Sequence, residues 1–349
     1  MTRTMSKDPD TFARRRTQRT WIFVLLGILT VVAALISVVL GQYYVPLSDL
    51  FRILAAGHGE DSLTASVVWG IRLPRLALGL VVGAALGVAG TLMQAVFANP
   101  LAEPSIIGVT SGAGVGAAVV IVFNIEFFGT FTVPAAAFLT ALLVTFIIYQ
   151  LARHNGRVVV VHLILTGIAI NAVCNAIISF MVYLAPTANR EAIIFWQMGS
   201  LNGSQWKHVW AVLPIVVVGL AVALRLGKQL DVLALGERAA AHTGVNVPRL
   251  RIVAIVASAV LTAGAVSFAG LIGFVGLIVP HLLRSIVGPE NRILLPASAL
   301  GGAVLIGFAD VAARTMIPFA DLPIGIFTAL VGGPTFFILL RRMMRKGAH

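Results

Sequence analysis

Three arginines beside long apolar segments could bind carboxylates or anchor helices. Arg72 and Arg75 flank Pro74 at the start of one apolar segment, and Arg314 follows the end of another. A guanidinium group presents paired donors that match a carboxylate in bidentate geometry. An arginine at a membrane interface can instead bind anionic headgroups. Both interpretations stay open, and Pro74 is predicted to be a first-turn helix proline.

A second group of polar residues lies inside an apolar segment. Asn171, Asn175 and Ser179 recur every four residues, so a helix would place them on one face. Polar side chains in a membrane are unfavourable unless they meet a partner or water. The pattern therefore predicts either hydrogen bonds between helices or the lining of a pathway.

The sequence lacks the motifs of enzymatic chemistry. Gly227-Lys228 has neither the upstream glycine nor the following hydroxyl of a phosphate-binding loop. No G-x-S-x-G or H-E-x-x-H pattern occurs, and Cys174 is the only cysteine. A catalytic residue, a metal site and a cofactor are therefore not expected.

The composition indicates a protein surrounded by lipid. Of 349 residues, 59% are hydrophobic and 11% are charged, whereas soluble domains carry roughly 25% charged residues. Long apolar segments cross a bilayer as helices, because helices satisfy their own backbone hydrogen bonds. The fold class is therefore an all-α membrane protein with about ten transmembrane helices. The predicted spans are 21–41, 74–97, 105–123, 133–152, 158–184, 207–226, 250–270, 272–288, 293–311 and 323–340.

The basic residues orient these spans. Most of the 25 lysines and arginines lie in the N-terminal tail, in alternate connections and at the C-terminus. Because cytoplasmic segments carry such an excess, both termini are predicted to be cytoplasmic. The chain then consists of a tail over 1–20, one ten-helix domain over 21–340 and a tail over 341–349. The net charge of +12 reflects these clusters, and nucleic-acid binding is not expected.

Residues 227–249 form a long connection on the predicted cytoplasmic side. A helix-forming stretch, Asp231–His242, precedes Gly244, and Pro248 comes just before the next span. We expect two short helices over Asp231–Arg249 that turn at Gly244 and contact a cytoplasmic partner. The alternative is a solvated connector.

Two further patterns concern packing and energy supply. Small residues at four-residue spacing favour close helix contact within one bundle, or else a subunit interface or a moving pathway. The spaced glycines are Gly79, Gly83, Gly87, Gly108, Gly112 and Gly116.

The acidic residues bear on the source of energy. They lie at connections or span ends, whereas an ion-driven carrier usually needs them inside its spans. An ATP-driven partner is therefore favoured over an ion-coupled carrier.

Over about residues 20–340 the chain resembles the permeases of bacterial ABC importers for ferric siderophores, heme and cobalamin. Seven motifs carry this resemblance, and they occur in the order expected for the family. They are Ile71–Arg75, Gly90–Gln94, Asn99–Pro104, Gly199–Gly203, Leu235–Glu237, Gly270–His281 and Leu322–Gly325.

The resemblance implies an assembly in the bacterial cytoplasmic membrane. Two permeases, either identical or paralogous, would combine with two ATP-binding subunits and an extracytoplasmic substrate-binding protein. Arg72, Arg75 and Arg314 would meet glutamates of the binding protein. The residues implied to couple transport to the ATP-binding subunits are Leu235, Gly236, Glu237, Arg238, Ala239 and Gly244.

The resemblance also suggests a pathway and a substrate. The fifth span would line the pathway through Asn171, Asn175 and Ser179, with a narrow gate at Val160 and Val161. The implied substrate is an iron complex, with heme placed ahead of ferric siderophore and cobalamin third. The preference for heme comes from two segments that resemble the heme-type branch, Ile170–Ala172 and Phe195–Leu201.

Overall fold

The computed structural model describes residues 9–57, 62–154 and 157–347, most of which are helical. A π-helical segment, Val68–Arg72, and two 3-10 turns, Pro104–Ile107 and Gly129–Phe131, interrupt the α-helices. Strand β1 (Arg153–His154) pairs antiparallel with β2 (Arg157–Val158). The α-helices are α1 (Pro9–Val39), α2 (Leu47–Ala56), α3 (Leu63–Val67), α4 (Leu73–Val96), α5 (Val109–Val122), α6 (Thr132–Leu151), α7 (Val160–Leu184), α8 (Thr187–Met198), α9 (Trp206–Leu233), α10 (Glu237–His242), α11 (Val247–Ala269), α12 (Val275–Val287), α13 (Asn291–Thr315) and α14 (Ile324–Gly347).

Each of the ten predicted spans coincides with one of these helices. Within the described residues, seven helical stretches are long and apolar enough to cross a membrane. Three shorter apolar helices, Val109–Val122, Val275–Val287 and Ile324–Ile338, correspond to the other predicted spans. The all-helical membrane architecture is confirmed, and the number of crossings stays a prediction.

The helix bundle has two distinct ends, which α9 connects. Near the start of α9, the Trp206 indole donates a hydrogen bond to the Trp69 carbonyl, close to the arginine motif. The other end of α9 leads directly into α10. We call these the Arg314 end and the α10 end. Pro74 lies in the first turn of α4, as predicted, at the Arg314 end.

Spaced glycines bring the two central helices of the bundle into contact. A Cβ atom on Gly83 of α4 would collide with the carbonyl oxygen of Gly302 in α13. A Cβ on Gly87 would collide with the carbonyl oxygen of Ser298. The second glycine series packs in the same way, with Gly116 against α6. Both series therefore serve close packing inside the bundle.

A break between α11 and α12 starts α12 inside the bundle instead of at its surface. Gly276, in the first turn of α12, packs against Gly90 of α4. Phe274 just before it has a φ of 68°, and its N–H donates to the Glu103 carboxylate at 3.0 Å. Glu103 thus satisfies the N–H of Phe274 and places a carboxylate beside the N-terminus of α12, where the helix dipole favours a negative charge.

The structure corrects several predicted boundaries. Helix α9 continues to Leu233 and α11 begins at Val247, so only 234–246 connect them. This connection holds one short helix, α10, and the predicted pair of helices is wrong. Residues 9–20 continue α1 and residues 341–347 continue α14, and the cytoplasmic tails stay a prediction. Residues 1–8 and 348–349 of those tails lie outside the described residues.

Candidate transport and docking sites

Arg72, at the Arg314 end, is buried and bonded to the backbone near the end of α1. One terminal nitrogen donates to the carbonyl oxygens of Val38 and Val39. The other donates to the carbonyl oxygen of Tyr43. These acceptors belong to the last turn of α1 and the chain that follows it, where carbonyls have no helical partner. Arg72 therefore ties the end of α1 to the start of α4.

Arg75 and Arg314 converge on a buried carboxylate. Arg75 donates to Asp310 at 2.8 Å and to Asp321 at 3.1 Å. Arg314 lies 3.5 Å from the second oxygen of Asp310 and donates to the side chain of Ser37 at 2.8 Å. One carboxylate of α13 thus joins two guanidinium groups, and a third helix, α1, completes the cluster.

The three predicted docking arginines therefore lie together at one end, but their guanidinium groups are engaged within the chain. Each is buried, and each has carbonyl or carboxylate partners in neighbouring segments. Contact with glutamates of another protein would have to compete with those partners. The docking role stays a prediction, and the observed contacts show a structural role at this end.

The predicted coupling residues form a continuous surface at the α10 end. Gly236 has a φ of 110°, which glycine adopts readily, and it turns the chain from α9 into α10. No other atom lies within 4 Å of a Cβ placed at Gly236, so this side is open. Glu237 is held by Arg251 of α11 at 2.7 Å. The exposed residues on this surface are Leu235, Gly236, Glu237, Arg238 and Gly244, while Ala239 is half-buried.

A cavity of about 730 Å³ brings the predicted gate and the predicted coupling segment together. Val160 and Val161, at the first turn of α7, line one side. Glu237 of α10 and Arg251 of α11 line the other side. Residues separated by two spans in the sequence thus share one space at the α10 end.

Helix α7 is packed along one side only. Asn171 accepts a hydrogen bond from the Ser111 hydroxyl at 2.6 Å and donates to the Ser105 carbonyl at 3.1 Å. Its position matches the predicted hydrogen bonding between helices. Asn175 and Ser179 are exposed among apolar side chains of the same helix. The predicted polar face is therefore divided between an internal contact and the open side of α7.

Several residues of these sites escaped the sequence analysis. Acidic residues are predicted at connections or span ends, whereas Asp310 lies inside α13 and is almost fully buried. Its spacing of four residues from Arg314 could have indicated the local pair. Arg251 had no local signal, because its partner comes from another element.

Comparison with known proteins decides the family. The model of the FecCD transport family matches residues 29–342. The chain belongs to this family. The FecCD chain is 46% identical over 280 residues to the cobalamin import system permease protein BtuC of Halobacterium salinarum, covering 80% of this chain and 74% of that one. It is 38% identical to the hemin transport system permease protein HmuU of Yersinia pestis, covering 92% and 96%.

A solved structure agrees with the fold. The FecCD chain superposes with a TM-score of 0.82 and 32% identity on a metal-chelate-type ABC transporter in an inward-facing conformation. The match covers 93% of this chain and 99% of the other. The chain is thus a multi-pass membrane permease of the kind found in ABC importers.

Proposed function

We propose that two FecCD permeases form a pathway along the open side of α7 and pass a large metal chelate towards the α10 end. One observation carries the proposal: Asn175 and Ser179 lie on a face of α7 that the chain itself leaves uncovered. Lipid is a poor environment for these groups, whereas water or a second permease satisfies them. The second permease is an identical copy or a paralogue.

The α10 end is the proposed contact with two ATP-binding subunits. Leu235 and Arg238 are exposed there, beside the tether between Glu237 and Arg251. Val160 and Val161 line the same cavity as Glu237, so movement of α10 would change the space beside these two valines. In the proposed orientation this end faces the cytoplasm, and both chain termini are proposed to be cytoplasmic as well.

The proposed substrate is a tetrapyrrole-type metal chelate, with hemin and cobalamin as the two candidates. Support comes from the names of the two relatives, one for cobalamin and one for hemin. Cobalamin thereby rises from third place to the same standing as hemin. Ferric siderophore stays the alternative, and the ligand held by the companion binding protein decides among the three.

Cross-linking tests the pathway at α7. In a Cys174→Ala background, Asn175→Cys is expected to form a disulfide between two permease copies in the assembled complex. Leu139→Cys on α6 is the matched control, because it is also exposed but lies on another helix. If the chain pairs with a paralogue, the disulfide forms with the corresponding position there. The proposed arrangement is contradicted if the Asn175→Cys and Leu139→Cys variants cross-link to an equal extent, or if neither variant cross-links.

Transport in vesicles tests the energy source. The permease, reconstituted with its ATP-binding subunits and binding protein, is expected to import the chelate only when ATP is hydrolysed. The alternative is an ion-coupled secondary carrier. Uptake without ATP that follows an ion gradient would establish that alternative.

The predicted docking of Arg72, Arg75 and Arg314 is retained with a modified role. We propose that they support the surface that meets the binding protein by holding α1, α4 and α13 together. Direct pairing with acidic residues of the partner would make docking weaken with salt. Salt-independent docking would favour the supporting role.

A further inference from the structure

The connection between α13 and α14 is held in shape by Gln42, which follows α1. The Gln42 amide nitrogen donates to the carbonyl oxygens of Arg314 and Ile317, both at 3.1 Å. Its oxygen accepts the N–H of Phe319 at 3.0 Å. At the far end of the connection, the Leu322 N–H donates to the Ala313 carbonyl at 3.0 Å. The loop backbone is therefore fixed at both ends.

This fixed loop presents the side chain of Phe319 to the outside. Phe319 is 95% exposed, and among the described residues no large apolar side chain is more exposed. Its φ of 59° is unfavourable for a residue with a bulky side chain. A strained conformation persists when its surroundings determine it, and such sites are often functional. The strained backbone at Phe319 therefore does not serve to pack the ring into the core of the protein.

Met316 and Ile317 extend the apolar surface around Phe319. Both are exposed, and both belong to the same clamped connection. We call Met316, Ile317 and Phe319 the Phe319 patch. The buried cluster of Arg75, Arg314 and Asp310 lies at the base of this connection, so the patch continues the surface where the family resemblance implies docking.

The position of the patch favours a protein partner over lipid. The apolar stretch of α1, Thr17–Val39, has 23 residues and is about 34 Å long as a helix, which already spans a hydrocarbon layer of about 30 Å. Gln42, which holds Phe319, comes after this stretch. The ring is therefore placed beyond the hydrocarbon layer. The aromatic residues enriched at the lipid interface are tryptophan and tyrosine, so a phenylalanine at this position favours a protein partner over lipid.

We propose that the Phe319 patch is a preformed aromatic anchor for the extracytoplasmic substrate-binding protein. The proposal rests on the proposed function, in which cargo is delivered at the Arg314 end. A rigid aromatic side chain is an effective anchor because little conformational entropy is lost when it docks. Its contribution depends on apolar burial, so it is insensitive to salt, unlike exposed ion pairs.

The test is the affinity of the complete permease–ATPase complex for its substrate-binding protein. Phe319→Gly removes the ring and suits the positive φ, so the loop keeps its shape. We expect roughly a 30-fold loss of affinity, as for an aromatic hot spot, by the same factor at low and high salt. Phe319→Tyr should retain most of the affinity.

Phe127→Ala is the matched control. Phe127 is 85% exposed at the same end, in the connection between α5 and α6, and its variant is expected to bind normally. Equal affinity of Phe319→Gly and the unchanged chain overturns the proposal while ATP-driven import still supports the proposed function. A loss seen in lipid nanodiscs but not in detergent assigns the ring to lipid and also overturns it. If the unchanged complex binds no binding protein and imports nothing, both proposals fail.

Discussion

The carboxylate of Glu237, the first residue of α10, lies 2.7 Å from a guanidinium nitrogen of Arg251 in α11. Glu237 is largely exposed, so the pair contributes only about 0.2–1 kcal/mol to stability. Its consequence is positional, since it ties the proposed coupling segment to a long helix of the bundle. Movement of α10 would then be transmitted to α11 through this pair, and it would change the shape of the cavity beside α7.

Reversing the charge of Glu237 is expected to uncouple ATP hydrolysis from import. Glu237→Arg places two guanidinium groups together and releases α10 from α11. The number of ATP molecules hydrolysed per imported chelate should rise several-fold, because α10 and α11 no longer move together. Vesicle uptake measured together with hydrolysis checks this.

A charge exchange separates the tether from direct contact with the ATPase. Glu237→Arg combined with Arg251→Glu should restore most of the coupling, because the pair reforms with opposite polarity. Arg238→Glu is the control for a charge change on the neighbouring exposed residue. If the double variant is as uncoupled as Glu237→Arg alone, Glu237 acts on the partner and not through Arg251.

Enlarging Gly83 is expected to separate the two central helices. A Cβ on Gly83 collides with the backbone of Gly302, which cannot move aside as a flexible side chain would. Gly83→Ala should therefore lower thermal stability in detergent, at a cost of about 1–3 kcal/mol from overpacking. Gly27→Ala in α1 is the control, because no other atom lies within 4 Å of its added methyl group. Equal effects of the two would contradict close packing of α4 against α13.

Removing the Asp310 carboxylate should destabilise the Arg314 end. Asp310→Ala leaves Arg75 without its best partner and Arg314 without a carboxylate within 4 Å. Loss of one member of a buried ion pair costs about 3–5 kcal/mol. Asp321→Ala is the control: its side chain is 28% exposed, and Arg75 would keep Asp310. The thermal unfolding temperature should fall clearly more for Asp310→Ala, and a similar fall in both would show that Asp310 has no special role.

The pair between Arg19 and Glu290 should make stability depend on pH. Two hydrogen bonds, at 2.6 and 3.1 Å, join the Arg19 guanidinium to both Glu290 oxygens. Hydrogen bonding to Arg19 lowers the pKa of Glu290 below its ordinary value of 4.5. A lowered folded-state pKa means that the stabilisation is present above about pH 4.5 and is lost as the pH falls through the lowered pKa.

The matching variant is Glu290→Gln. At neutral pH it should be slightly less stable than the unchanged chain, by at most about 1 kcal/mol, because Glu290 is 37% exposed. The difference should shrink as the pH falls below 4.5. Thermal unfolding of both proteins across this range checks the expectation, and a difference that does not change with pH would assign the effect to packing.

The positions of the helices that match the ten predicted spans follow from the sequence alone. In lipid, an apolar segment must satisfy its backbone internally, so length and hydropathy are enough to predict a helix there. The glycine series likewise predicted close contact, because a helix without side chains on one face can be approached by another backbone. The pairing of Gly83 with Gly302 came only with the fold.

Boundaries in polar regions were less predictable. The sequence placed a connection from residue 227, yet α9 continues to Leu233. Hydropathy marks where a helix leaves the apolar layer, but a helix can continue into water when its residues favour it. The structure shows this continuation at α9, and also at both described ends of the chain.

The sequence by itself determined that arginines occur at one end of the bundle, and the tertiary structure decided what they touch. Arg75 and Asp310 are 235 residues apart, and no local pattern links them. They meet because α4 and α13 pack side by side, and a guanidinium buried there needs a carboxylate. The same holds for Gln42 and Phe319, separated by 277 residues. Helices form from local interactions, whereas partners of buried polar groups depend on which helices become neighbours.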